Sequence, residues 1–256
     1  FGTSVGSING ALIIQGDLDA AEKLWYELET SMVFDLSDDD YSFKDSMEKI
    51  NIGGMSADEV FGYAREIVLH GGAGTSGLAS LMDTYFDEDK VRSSGMDYGL
   101  VTTRFPSMTG LFLHADDIPD GQLANYVMAS ASCFPAVRKC TIGEESYIDG
   151  GYSDNLPVEM AMDSGATDII AVDLQAVGII RKSTVDESRE KCDEFHLIKS
   201  PVDLGNFLVF DADNSKRIMT LGYLDTMRHF GKYDGLRYTF EKDQLRPHHL
   251  AGADTA

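Results

Sequence analysis

Two short stretches of the chain carry residues able to do acyl chemistry. The first is Gly2-Thr3-Ser4-Val5-Gly6, which has the pattern G-x-S-x-G. A serine that attacks a carbonyl must project from a tight strand-to-helix turn, where the backbone is strained and its neighbours are small. The helix that follows aims its first N–H groups at the place where negative charge develops. Ser7, Gly10 and Ala11 extend the small-residue series and would let that helix pack closely on a sheet. Taken alone, the pattern also describes a Gly/Ser turn with a capping serine. The second stretch is Asp149-Gly150-Gly151, followed by Asp154-Asn155-Leu156-Pro157. An aspartate at a strand end with two glycines after it sits where the backbone can approach another loop. Within hydrogen-bond reach of a serine, such a carboxylate can orient the hydroxyl and accept its proton. Taken alone, Asp-Gly-Gly is more often a plain turn.

Rival chemistry is weaker. A Ser–His–Asp order can be assembled from Ser4, Asp173 and His196, but none of the histidines (His70, His114, His196, His229, His248, His249) stands in a glycine-flanked loop. Thr75-Ser76-Gly77 reads as a helix cap and Gly71 to Gly77 as a helix-to-helix turn. His248-His249 lacks an acidic or cysteine partner at ligand spacing, and no CxxC occurs, so no metal is expected. Cys133, before Phe134 and Pro135, reads as a buried, inert thiol. Turn formation and capping account for Asp154 and Asn155.

The elements that must position the two stretches can be read from periodicity. An apolar stretch to Ile14 follows Ser4. Helices are expected over 17–30 with Asp17 as cap, 56–70, 78–86, 120–130, 155–164 with Asn155 as cap and Gly165 as stop, and 215–230. Strands are expected over 98–105 and 110–114 around a Pro-Ser-Met-Thr turn, over 146–148 running into Asp149, over 168–174 as a strand of the fully buried kind, and over 195–198. Alternation of strand and helix argues for a mostly parallel sheet covered on both faces. Residues 17–95 read as a helical insertion within a single domain of residues 1–245. The Met and aromatic content of that insertion (Trp25, Met32, Phe34, Met82, Tyr85, Phe86) suits a lid or acyl-chain wall, though ordinary core accounts for it better. Residues 246–256 read as a disordered tail.

Bulk properties set the boundaries. With 256 residues and 43% hydrophobic content the chain can bury one large core. The net charge of −22 excludes the basic footprint of a nucleic-acid binder and disfavours electrostatic docking to anionic lipid. Hydrophobic, transient contact with a membrane or micelle remains compatible with it. Three cysteines argue against a disulfide framework and for a reducing, cytoplasmic setting. No stretch approaches the roughly 20 apolar residues of a membrane span, and no signal segment is visible.

Together the two motifs resemble the patatin-like phospholipase family. Its members carry G-T-S-x-G-(A/S)-x-N-G-A-L at the nucleophile, as Gly2 to Leu12 does, and D-G-G-x-x-D-N-x-P about a domain later, as Asp149 to Pro157 does. Tyr98 to Arg104, Ala129 to Pro135 and the segment closing on Asp225 are also similar to family members, the last to many bacterial ones. The resemblance implies a three-layer α/β/α sandwich and a dyad of Ser4 and Asp149 that hydrolyses acyl esters, often of lipids, with no metal or organic cofactor. Patatin-like proteins also place a glycine-rich loop with a basic residue upstream of the nucleophile, and its N–H groups form the oxyanion hole. Here only Phe1 precedes Gly2, so the expectation is a piece of a longer active protein, weakly active by itself. An acyltransferase with the same dyad and a non-catalytic relative that binds lipid or protein are the alternatives.

Overall fold

A computed structural model describes residues 1–33, 74–205, 208, 210–235 and 239–242. The helix expected over 56–70, residues 71–73 of the glycine-rich stretch, Phe34 and the tail lie outside these residues. The chain opens with β1 (Gly2–Thr3), α1 (Val5–Ile14), α2 (Leu18–Glu27) and α3 (Thr30–Val33). After residue 73 come α4 (Ser76–Tyr85), α5 (Glu88–Ser93), the hairpin β2 (Gly99–Phe105) and β3 (Thr109–His114), and α6 (Leu123–Ser130). The remainder is β4 (Cys140–Ile142), β5 (Glu145–Asp149), α7 (Val158–Asp163), β6 (Asp168–Asp173), α8 (Lys182–Lys191), β7 (Glu194–Lys199), α9 (Ala212–His229), β8 (Tyr233–Asp234) and β9 (Phe240–Glu241).

The fold is α/β, and its main sheet is mixed. β1 runs parallel to β2, while β3 and β5 both run antiparallel to β2 and β4 antiparallel to β5. The parallel geometry expected from strand–helix–strand alternation holds for β1–β2 and for the separate β6–β7 pair. The β2–β3 and β4–β5 hairpins are antiparallel because their connections are too short for a crossover, and β5 is antiparallel to β2 as well. β6 also departs from the expected fully buried strand. Ile169 and Ala171 are buried, but Ile170 and Val172 on the opposite face are exposed.

Local chemistry sets the helix boundaries. The side chains of Asp17, Asp87 and Asp211 accept the Ala20, Lys90 and Asn214 N–H groups and so cap α2, α5 and α9. Gly165, at φ 85°, follows α7, as its stop signal predicts. Two apolar clusters hold the layers. One joins Ile8, Ala11 and Leu12 of α1 to Leu24, Met82, Leu100, Leu123 and Val127. The other packs Val158 and Val185 against Ile169 and Ala171 of β6. Each buried Val, Leu, Ile or Met side chain among them contributes about 1.5–3 kcal/mol by leaving water.

The Asn9-Gly10 pair of the first motif positions α1. Tyr98, almost fully buried, lays its ring against Gly10, where an added Cβ would stand 3.3 Å from the ring. Its hydroxyl donates to the Ser7 carbonyl at 2.7 Å. Asn9 accepts the Trp25 indole N–H at 2.8 Å, which ties α2 to α1. Gly77 lies in the first turn of α4, where an added Cβ would stand 2.2 Å from the Met32 carbonyl oxygen. Close packing of α4 on α3, rather than turn formation, therefore explains that glycine.

Candidate active site

The site arises because two strands share one edge of β2. β3 pairs with β2 from Gly99 to Arg104 and so takes one edge. β1 and β5 both lie on the other and meet there end to end. Thr3, the last residue of β1, is opposite Val101, and Asp149, the last residue of β5, is opposite Thr102. Ser4 is thereby delivered to Asp149, close enough for its hydroxyl to act on the carboxylate and pull its pKa down.

Ser4 stands between β1 and α1 with φ 56° and ψ −129°, a backbone conformation that L-residues rarely adopt. Its N–H donates to Ser130 Oγ at 2.9 Å, and its carbonyl accepts the Ser7 N–H at 2.9 Å and the Ser7 hydroxyl at 2.6 Å. Gly2 is required by this turn, since a Cβ there would lie 2.1 Å from the Gly6 carbonyl oxygen. Gly6 is different: a Cβ at that position meets nothing within 4 Å. The demand for small neighbours therefore falls on Gly2, while no described residue crowds Gly6, and Val5 begins α1.

Asp149 is buried, and its N–H donates to the Ser132 carbonyl at 2.8 Å. One carboxylate oxygen accepts the Gly151 N–H at 2.7 Å. Burial pushes its pKa from 3.8 up to about 6, against the opposing pull of the Ser4 and Gly151 hydrogen bonds. Gly150 lets the turn sit on the sheet, where a Cβ would meet the Val101 carbonyl oxygen at 2.1 Å and Thr3 Cγ2 at 2.8 Å. Gly150→Ala is accordingly expected to destabilise the protein by about 3 kcal/mol and to lower Tm by roughly 6–12 °C. Thermal unfolding checks this, and a Tm within about 2 °C of wild type would show that the loop shifts freely.

The rest of the second motif ties the two strand ends together. The Thr3 hydroxyl donates to the Asp154 carbonyl at 2.7 Å, and the Asp154 N–H to the Gly150 carbonyl at 2.9 Å. The fully buried Asp154 carboxylate accepts the Leu156 N–H at 3.1 Å. Asn155 does not cap α7 as its residue type suggests. Pro157 takes the cap position, and the Asn155 N–H reaches the Ile179 carbonyl instead, which draws the 176–179 loop over the turn.

The other candidates are placed elsewhere. His114 bonds Asp97, and His196 bonds His229 and Glu194. His70, His248 and His249 lie outside the described residues. Asp173 bonds Lys199, so the alternative set of Ser4, Asp173 and His196 is not brought together. Cys133 lies near Asp149, and burial, helped by that negative charge, pushes its thiol up to about 12, so it stays protonated. Asp225 pairs with Arg228 within α9. Among the described residues no three His, Cys, Asp or Glu side chains are arranged to hold a metal ion, and no helix is long and apolar enough to cross a membrane. Sequence reasoning missed Ser130 and Ser132 as contacts of the pair. Their only signal was the Ala/Ser-rich run before Pro135.

A model of the patatin-like phospholipase family matches residues 1–162, a stretch that includes both strand ends and the residues at them. The chain belongs to the patatin-like phospholipase family. This membership makes the α/β arrangement that of a patatin-like α/β/α sandwich and places the protein among lipid acyl hydrolases in the general sense. No curated protein matches the chain. In patatin-like terms, Gly2 to Gly6 is the turn at the end of β1, and Asp149 to Gly151 is the turn at the end of β5.

Proposed function

We propose that this patatin-like protein hydrolyses acyl esters of lipids through an acyl-enzyme on Ser4, with Asp149 as its general base. The observation that carries the reading is a serine on a strained strand-to-helix turn, delivered beside a buried carboxylate at the end of the strand that shares its edge of β2. Ionised Asp149 takes the hydroxyl proton as Ser4 Oγ adds to the ester carbonyl. The Val5 and Gly6 N–H groups, which open α1 and have no partner earlier in the helix, face the developing oxyanion and stabilise it in part. Collapse of the intermediate breaks the ester C–O bond. The departing alcohol or lysolipid takes the proton from Asp149, which leaves the acyl group on Ser4. Asp149 then deprotonates a water that attacks this acyl group, releasing the fatty acid and returning the proton to Ser4 Oγ.

Fluorophosphonate labelling read by intact mass tests the reading. The expected result is one phosphonyl adduct on the wild-type protein and none on Ser4→Ala. Absence of label on folded wild-type protein, or label retained by Ser4→Ala, would sink it.

A further inference from the structure

We propose that Ser130 is a positioning residue that holds the backbone of Ser4, and that the segment from Ser130 to Ser132 sets the spacing between Ser4 and Asp149. The inference rests on the dyad reading above. Ser130 ends α6 and has no exposed surface. Its Oγ accepts the Ser4 N–H at 2.9 Å and donates to the Val101 carbonyl at 2.6 Å. Two residues later the Ser132 carbonyl accepts the Asp149 N–H at 2.8 Å. Atoms from two residues, Ser130 and Ser132, thus hold the backbones of both members of the pair.

The position is a demanding one. Ser4 precedes the first residue of α1 and follows the last residue of β1, and its N–H leaves the regular elements to meet a side chain. Ser130 Oγ supplies that partner. Its single proton goes to Val101, whose carbonyl lies where β1 and β5 meet. The positive φ of Ser4 persists only while its surroundings fix it. Alanine at position 130 takes this partner from the half-buried Ser4 N–H and from the buried Val101 carbonyl, and releases the turn. Ser4 Oγ then drifts from Asp149, and a displacement of about 1 Å is enough to slow a reaction roughly 100-fold.

The test compares kcat, KM and fluorophosphonate labelling rate for wild type, Ser130→Ala, Ser188→Ala and Ser4→Ala. Ser188 is an equally buried hydroxyl, bonded to the Thr184 carbonyl within α8 and away from the site. Ser130→Ala is expected to lower kcat about 30- to 100-fold, with KM within about twofold of wild type, and to slow labelling by the same factor. Ser188→Ala is expected to lower Tm while leaving kcat at the wild-type value. If Ser130→Ala does not fold, Ser130→Cys, of similar size and poor hydrogen-bonding power, takes its place with the same expectations. A kcat within about threefold of wild type, a loss expressed in KM, or an equal loss in Ser188→Ala overturns the role of Ser130. Activity or label retained by Ser4→Ala overturns the dyad reading itself, so the two failures are told apart.

Discussion

Asp149→Asn is expected to lower kcat/KM by about 10³–10⁴-fold and, at pH 7, to make the protein more stable. Asparagine keeps an oxygen for the Gly151 N–H and can present its NH₂ group to Ser4 Oγ, so the geometry survives while the acceptor for the hydroxyl proton is gone. The stability gain follows from linkage. The folded-state pKa of about 6 lies above the ordinary 3.8, so the folded protein holds the proton more tightly than the unfolded chain. That contribution is fully present below about pH 4 and is lost as pH rises through about 6. Above that range the buried ionised carboxylate costs on the order of 3 kcal/mol. The variant lacks this cost. Its advantage is expected to be several degrees in Tm at pH 7–8 and to vanish near pH 4. In the wild-type protein the same ionisation should make kcat/KM rise through a midpoint near pH 6, with the rate at pH 5 roughly a tenth of the plateau. A pH-independent rate between 5 and 8, or an Asn variant less stable than wild type at pH 7, would show that Asp149 is not the base described.

Ser4→Gly and Ser4→Ala are both expected to lose turnover and labelling, yet they should differ in stability. Alanine at φ 56° keeps the backbone strain of this turn, whereas glycine adopts such angles freely. Strain at one such residue is worth about 1–3 kcal/mol, and the greater freedom of glycine in the unfolded chain returns roughly 0.5–1 kcal/mol. Ser4→Gly should therefore unfold about 1 kcal/mol later than Ser4→Ala in denaturant titration, with equal m-values. The reverse order would show that the turn stores no strain and that the serine is held by its hydrogen bonds alone.

The candidate residues were legible because their motifs are local. A tight turn before a helix and a carboxylate before two glycines each leave a signature within a few residues, and helix caps such as Asp17 do the same. What lay hidden depends on pairing across long distances. No periodicity states that β1 and β5 share an edge of β2, which is the fact that brings Ser4 to Asp149. The same blindness led to a mostly parallel sheet where two short hairpins impose antiparallel pairing. Asn155 was mistaken for a cap because its partner, Ile179, comes from a loop beyond α7. Ser130 went unnoticed because a buried serine in a run of alanines and serines differs from its neighbours only through the atoms it meets 126 residues earlier in the chain.

The end-to-end meeting of β1 and β5 also governs when reactivity can appear. The ribosome makes Ser4 well before Asp149, and β2 must be in place before either strand end has an edge to occupy. A nascent chain that has formed its first helices still carries an ordinary, unreactive serine. Closing long loops is slow relative to local helix formation, so on the dyad reading proposed above Ser4 would become reactive only when β5 docks. On the proposed reading, the protein would thereby stay inert toward lipid until Asp149 has been made and β5 has docked.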